Sequence, residues 1–114
     1  MSYRGSCHCG QIRFEVQGAF DTAMECNCSH CSRKGYLMWF VPRTDFTLES
    51  SPEALSTYTF NKHHIKHHFC PTCGCAPFGF GASKGMEMAA INVRCLEGVE
   101  LGSVKRKFVD GRSF

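Results

Sequence analysis

The chain has 114 residues, 43% of them hydrophobic and 12% aromatic, with a formal charge of +3. That is too apolar for a disordered chain and too short for a multidomain enzyme. No apolar run approaches the ~18 residues of a membrane-spanning helix, and no membrane partner is expected.

Nine cysteines set the problem. The number is odd, so a fully paired disulfide framework would leave one over. Met1-Ser2-Tyr3-Arg4-Gly5-Ser6 lacks the apolar centre of a secretory signal. The expected compartment is the reducing cytoplasm, where dense cysteine points to metal. Seven thiolates on two Zn²⁺ ions contribute −7 and +4, which cancels the +3. The charge is then no argument for a nucleic-acid partner, and the chain has no basic stripe interleaved with aromatics.

In chain order, Cys7-His8-Cys9-Gly10 precedes an alternating strand over Gln11–Val16. Gly10 can take positive φ and close the turn between them. By itself this pair of cysteines also fits two buried thiols. Cys26-Asn27-Cys28-Ser29-His30-Cys31 follows, with three thiols in six residues. Such crowding forbids mutual disulfides but suits a metal, giving three ligands where zinc takes four. Ser32-Arg33-Lys34-Gly35 reads as a polar loop. Tyr36–Val41 is a continuous apolar run, read as a strand buried on both faces and stopped by Pro42. Phe46–Glu49 alternates again. Ser51 and Pro52 can open one short helical turn, with Ser51 as cap. Leu55–Phe60 reads as a strand, Asn61-Lys62 as a hairpin turn, and His63–Phe69 as the return. His63, His64, His67 and His68 read as a solvated hairpin, because adjacent strand residues face opposite ways. Ala76–Phe80 is a short strand, and Ala82–Gly85 a turn. Met86–Cys95 alternates with a change of phase that a bulge near Ala89-Ala90 would explain. Leu96–Gly102 is a loop, and Val104–Val109 a last strand. The class is all-β, with short strands and metal-bearing turns.

Cys70-Pro71-Thr72-Cys73-Gly74 is the most specific pattern. Proline fixes φ at its start and glycine relieves the turn after the second thiol, so both sulfurs can address one ion. Such a knuckle supplies half of a tetrahedral four-cysteine site. Its partner pair is either Cys7 with Cys9 or two members of the 26–31 cluster. The first choice leaves Cys26, Cys28 and Cys31 as an independent three-ligand site. The second resembles a zinc ribbon and strands Cys7, Cys9 and Cys26.

Gly5-Ser6-Cys7-His8-Cys9-Gly10, Cys26–Cys31 and Phe69-Cys70-Pro71-Thr72-Cys73-Gly74 resemble the three motifs of the glutathione-dependent formaldehyde-activating enzyme family, which includes centromere protein V. Arg94–Gly98 and Asp110–Arg112 are also similar to it. The resemblance covers nearly the whole chain. It implies a single zinc-binding domain over residues 1–114, with the Mss4-like fold of short antiparallel strands. It implies two Zn²⁺ per chain: a structural ion on Cys7, Cys9, Cys70 and Cys73, and a catalytic ion on Cys26, Cys28 and Cys31. It further implies a carbon–sulfur lyase that joins formaldehyde, or a related aldehyde, to a small-molecule thiol such as glutathione. A non-catalytic zinc module that binds a protein or nucleic acid is the alternative.

Glutathione is anionic, so Arg33 and Lys34, directly after Cys31, are the candidate substrate contacts. His30 is either a fourth ligand, a proton carrier or an exposed turn residue. Cys75 reads as a bystander to the knuckle, and Cys95, Trp39 and Phe40 as core. Lys105-Arg106-Lys107 reads as a solvated strand end.

Overall fold

The computed structural model describes residues 1–60 and 65–110. The proposed turn at Asn61-Lys62, together with His63, His64 and the end of the Asp110–Arg112 segment, lies outside the described residues. Among the described residues, ten strands form two sheets. In the smaller, β1 (Ser2–Ser6), β2 (Arg13–Gln17) and β5 (Phe46–Leu48) run in the order β1-β2-β5. The larger contains β3 (Thr22–Cys26), β4 (Met38–Pro42), β6 (Ser56–Tyr58), β7 (Lys66–Phe69), β8 (Phe78–Ser83), β9 (Met86–Asn92) and β10 (Lys105–Val109). Its order is β10-β3-β4-β9-β8-β7-β6. The class is all-β, as the alternation implied. One pair departs from the antiparallel expectation: β10 runs parallel to β3, with Val109 opposite Cys26.

Alternation along β2 buries Phe14 and Val16 and leaves Arg13 and Gln17 in water. Phe14 meets Phe46 at 5.4 Å in a stacked pair and Phe78 at 5.4 Å edge-on, so rings from both sheets share one core. Burying a ring this completely stabilises the fold by about 2–3 kcal/mol. Gly5 on β1 allows that packing, because a Cβ there would overlap the Phe14 ring and lie 2.9 Å from the Cys95 carbonyl. Gly5→Ala is expected to destabilise the fold by about 1–3 kcal/mol, an overpacking cost. An unchanged urea midpoint would contradict it.

Several expectations need correction. The residues Ser32–Lys34 are not a loop: they belong to a helix, α1 (Ser29–Lys34), capped by the Cys28 side chain and ended by Gly35 at φ 72°. The β4 strand is not buried on both faces. Trp39 and Val41 face the main core, whereas the opposite face is covered at Met38 and open at Phe40, 46% exposed. There is no bulge at Ala89-Ala90. The strand β9 pairs with β8 from Met86 to Ile91, and with β4, without a skipped residue. The apparent change of phase has a simpler cause: Ala89, Ile91 and Val93 face the main core, while Ala90 packs with Tyr36 and Met38 on the other side. The turn after β8 is only Lys84-Gly85, both at positive φ (51° and 80°), the two-residue hairpin geometry. Finally, His67 and His68 are both buried at 8% exposure rather than solvated. They do face opposite ways, His68 against Phe78 and Phe80, His67 against His30 and Phe60.

Candidate functional site

Two groups of sulfurs form, each with all Sγ atoms within 4.8 Å of one another. The first is Cys7, Cys9, Cys70 and Cys73; the second is Cys26, Cys28 and Cys31. The knuckle therefore meets the N-terminal pair and not the 26–31 cluster.

The first group joins the turn after β1 to the turn before β8. Gly10 and Gly74 close these turns at φ 82° and 81°. The Ile12 amide donates to Cys7 Sγ at 3.3 Å, and Thr72 Oγ1 donates to Gln11 Oε1 at 2.8 Å, tying one turn to the other. Cys9 Sγ lies 3.7 Å from Cys7 Sγ and 3.6 Å from Cys70 Sγ. Tetrahedral zinc with Zn–S near 2.3 Å needs sulfurs about 3.8 Å apart, so the donor set fits that ion. Its electrostatics point the same way. Amides of Cys75 and Cys9 pull the Cys73 thiol down to about 5, and the Cys73 amide leads in lowering Cys70. At Cys9 the Gln11 amide also pulls down, but desolvation and the neighbouring thiols win and push it up to about 12. Crowded sulfurs cannot all ionise without a cation among them. Cys75 belongs to neither group; its carbonyl accepts from the Cys70 amide at 2.9 Å. Cys95 is half-buried, and burial pushes its thiol up to about 12.

The second group starts where β3 ends. Asn27, between Cys26 and Cys28, is held by β10: its amide donates to the Val109 carbonyl at 3.2 Å, and its side chain donates to Asp110 at 2.9 Å. The Cys28 amide donates to Cys26 Sγ at 3.5 Å, and the Cys31 amide to Cys28 Sγ at 3.3 Å. Desolvation opposes ionisation of Cys28, but amides and neighbouring thiols outweigh it and lower its pKa. Cys31 is pushed far up by burial and by both neighbouring sulfurs. All three sulfurs are half-buried, and no fourth ligand joins them among the described residues. The set could hold a zinc with one position left over.

Beside this group opens a cleft of about 470 Å³. From α1 it takes His30, Arg33 and Lys34. Tyr36, Tyr58, His67 and Phe69 complete its lining, and a shallower depression continues it past Phe60. Tyr36 borders both places, packing with Cys31 on one side. Arg33 and Lys34 both line this cleft. Arg33 donates to the Ser29 carbonyl at 2.8 Å, and Lys34 Nζ lies 5.6 Å from the centre of the Phe69 ring. The His30 ring turns away from a ligand role, into Tyr58, Phe60 and His67 at 5.5, 5.1 and 4.3 Å. Its Nδ1 is buried without a partner among the described residues.

The aromatic wall escaped sequence reasoning. Its signal was period-2: Tyr58, the last residue of β6, and Phe60 stand two apart, as do His67 and Phe69 on β7, and Tyr58 pairs with His67 across the two strands. Trp39 packs against Tyr3 and Phe20 instead, and neither Trp39 nor Phe40 lines the cleft. Lys105, Arg106 and Lys107 are exposed, with Arg106 3.7 Å from Glu25. No helix among the described residues is long and apolar enough to cross a membrane.

Burial, and then the nearby His30, His68 and Lys34, lower the His67 pKa from 6.5 to about 4. The fold therefore holds His67 neutral while the unfolded chain protonates it. This contribution to stability is complete above about pH 6.5 and is lost as pH falls toward 4. Between pH 7 and 5 the loss is expected to be about 1–2 kcal/mol after solvent screening. In His67→Phe the urea midpoint should fall less over that interval; an equal fall would refute the assignment.

The fold and the two sulfur groups define a small all-β protein built around cysteine clusters able to hold metal. Residues 2–109 match the glutathione-dependent formaldehyde-activating enzyme family, and the chain belongs to it. It is also similar to a solved structure, a Rhodobacter sphaeroides protein that was Northeast Structural Genomics target RhR83. That protein is 35% identical, with a TM-score of 0.79 over 91% of this chain and 99% of the other.

Proposed function

We propose that the protein is a zinc-dependent carbon–sulfur lyase, reading residues 1–114 as one domain that joins the thiol of glutathione, or a similar thiol, to formaldehyde or a related aldehyde. The observation that carries this reading is the difference between the two sulfur groups. One has four cysteines and ties two turns together; the other has three, and the helix that Cys28 caps lines a cleft with a cationic rim. In this reading Cys7, Cys9, Cys70 and Cys73 hold a structural zinc, and Cys26, Cys28 and Cys31 hold the catalytic one. The nine free cysteines fit a reducing, cytoplasmic setting.

A free thiol near pKa 8.5 is mostly protonated at neutral pH. A zinc at the second group supplies the positive charge that keeps a neighbouring thiol ionised. The chain's own residues bind and orient. Arg33 and Lys34 draw the carboxylates of the thiol substrate to the rim. The ring wall excludes water on the far side of the cleft. The substrate thiolate attacks the carbonyl carbon, forming the C–S bond, while the π pair moves to oxygen and takes up a proton. The product is S-hydroxymethylglutathione when the aldehyde is formaldehyde, and the reverse step breaks the same bond.

Zinc content per chain, measured with and without mild chelation, tests the proposal alongside glutathione-dependent loss of formaldehyde. Two zincs, one removed without unfolding, together with accelerated adduct formation, support it. One zinc, or two released only on unfolding, favours the non-catalytic module. Arg33→Ala/Lys34→Ala is expected to raise KM for glutathione by about tenfold with a smaller change in kcat, the pattern of lost binding contacts. An unchanged KM would remove both residues from the site.

A further inference from the structure

We propose that the favoured carbonyl partner carries an aromatic or extended alkyl substituent, which lies against the wall formed by Tyr58, Phe60 and His67. The inference rests on the functional reading above and names its substrate class. Formaldehyde has two heavy atoms and offers such a wall nothing to cover. The rings nonetheless stack in series, Tyr58 to Phe60 at 5.9 Å and Phe60 to His67 at 5.3 Å, with interplanar angles of 23° and 21°; His67 is buried behind them, His30 packs against all three, and Tyr58 presents the open ring. Tyr58 is 51% exposed, a large aromatic surface left open beside the cleft.

The body of glutathione fits this surface poorly. Its ammonium, carboxylates and peptide groups each need a partner when water is removed, and an aromatic wall supplies few. The cationic rim suits it better. Arg33 and Lys34 stand on α1, and none of the residues lining the cleft is acidic among the described residues. The cations come from α1 and the rings from the β6–β7 hairpin, with Lys34 reaching to 5.6 Å from the Phe69 ring. A ligand that matches is anionic at its thiol end and apolar at its carbonyl end. The adduct of such an aldehyde forms like that of formaldehyde. The thiolate sulfur bonds to the carbonyl carbon, the π pair goes to oxygen, and a proton completes the hydroxyl. No oxidant or further reactant enters.

Binding of S-benzylglutathione and S-methylglutathione to the zinc-loaded protein, by calorimetry, separates the wall from the chemistry. The benzyl compound is expected to bind at least about tenfold tighter. Tyr58→Ala and Phe60→Ala, both at cleft positions outside the main core, should each narrow that ratio. Equal affinities in the wild type, or a ratio untouched by both substitutions, would overturn the proposal. Rates with formaldehyde and benzaldehyde distinguish this failure from that of the functional reading. Accelerated formaldehyde addition without a benzyl preference sinks only the substituent assignment. No acceleration with either aldehyde sinks the lyase reading, and the substrate class with it.

Discussion

Cys73→Ala is expected to leave a chain that does not fold at 25 °C. The first sulfur group ties the turn between β1 and β2 to the turn between β7 and β8, and so joins the small sheet to the large one. Structural zinc contributes about 10–16 kcal/mol in small peptides, and a domain's whole stability is about 5–15 kcal/mol. Losing most of the first is as large as the second. The hydrogen bonds that remain, such as Thr72 to Gln11, are each worth only about 1 kcal/mol. Circular dichroism on purified protein, with zinc content measured in parallel, checks the outcome. Cys75→Ser is the control, since Cys75 lies outside the sulfur group, and it should keep its fold and its zinc. A Cys73→Ala variant that melts within a few degrees of wild type would remove the structural role from this site.

Cys28→Ala should behave differently: folded, short of one zinc, and slower by about 10³-fold in adduct formation. The fold cost is the lost helix cap, about 1 kcal/mol, at a half-buried position on a six-residue helix. The rate cost has two parts. A thiol of pKa near 8.5 is only about 3% ionised at pH 7, so losing its ionised state costs about 30-fold. Losing the fixed approach of thiol and carbonyl costs at least about as much again. The assay compares the catalysed with the spontaneous rate of glutathione and formaldehyde addition. If Cys28→Ala and Cys73→Ala unfold alike, the two groups share one structural role. If Cys28→Ala keeps its full rate, the chemistry lies elsewhere.

Sequence reasoning went furthest where chemistry is local. A thiol spacing of two or three residues constrains a turn whatever surrounds it, so the knuckle and the three-thiol cluster were legible at once. Strands with one covered face, such as β2, were legible too, because alternation records that face directly. Residue order alone left the choice of partner for Cys70 and Cys73 open, since the members of a four-cysteine group lie up to 66 positions apart, from Cys7 to Cys73. The Ser32–Gly35 segment misled because six residues give too few turns for a 3.6-residue period to appear. His67 and His68 misled because alternation across a hairpin was read as leaving them solvated. In the fold, His67 and His68 lie on an inner strand between β6 and β8.

By itself, then, the sequence determined the all-β class, the cysteines able to address a metal and the turns that present them. These depend on contacts a few residues long. Only the tertiary structure decided which turns meet, that β10 runs parallel beside β3 to hold Asn27 between two of the thiols, and that Tyr58, Phe60 and His67 gather beside Arg33 and Lys34. Those arrangements come from strand order and sheet packing, which join residues distant along the chain.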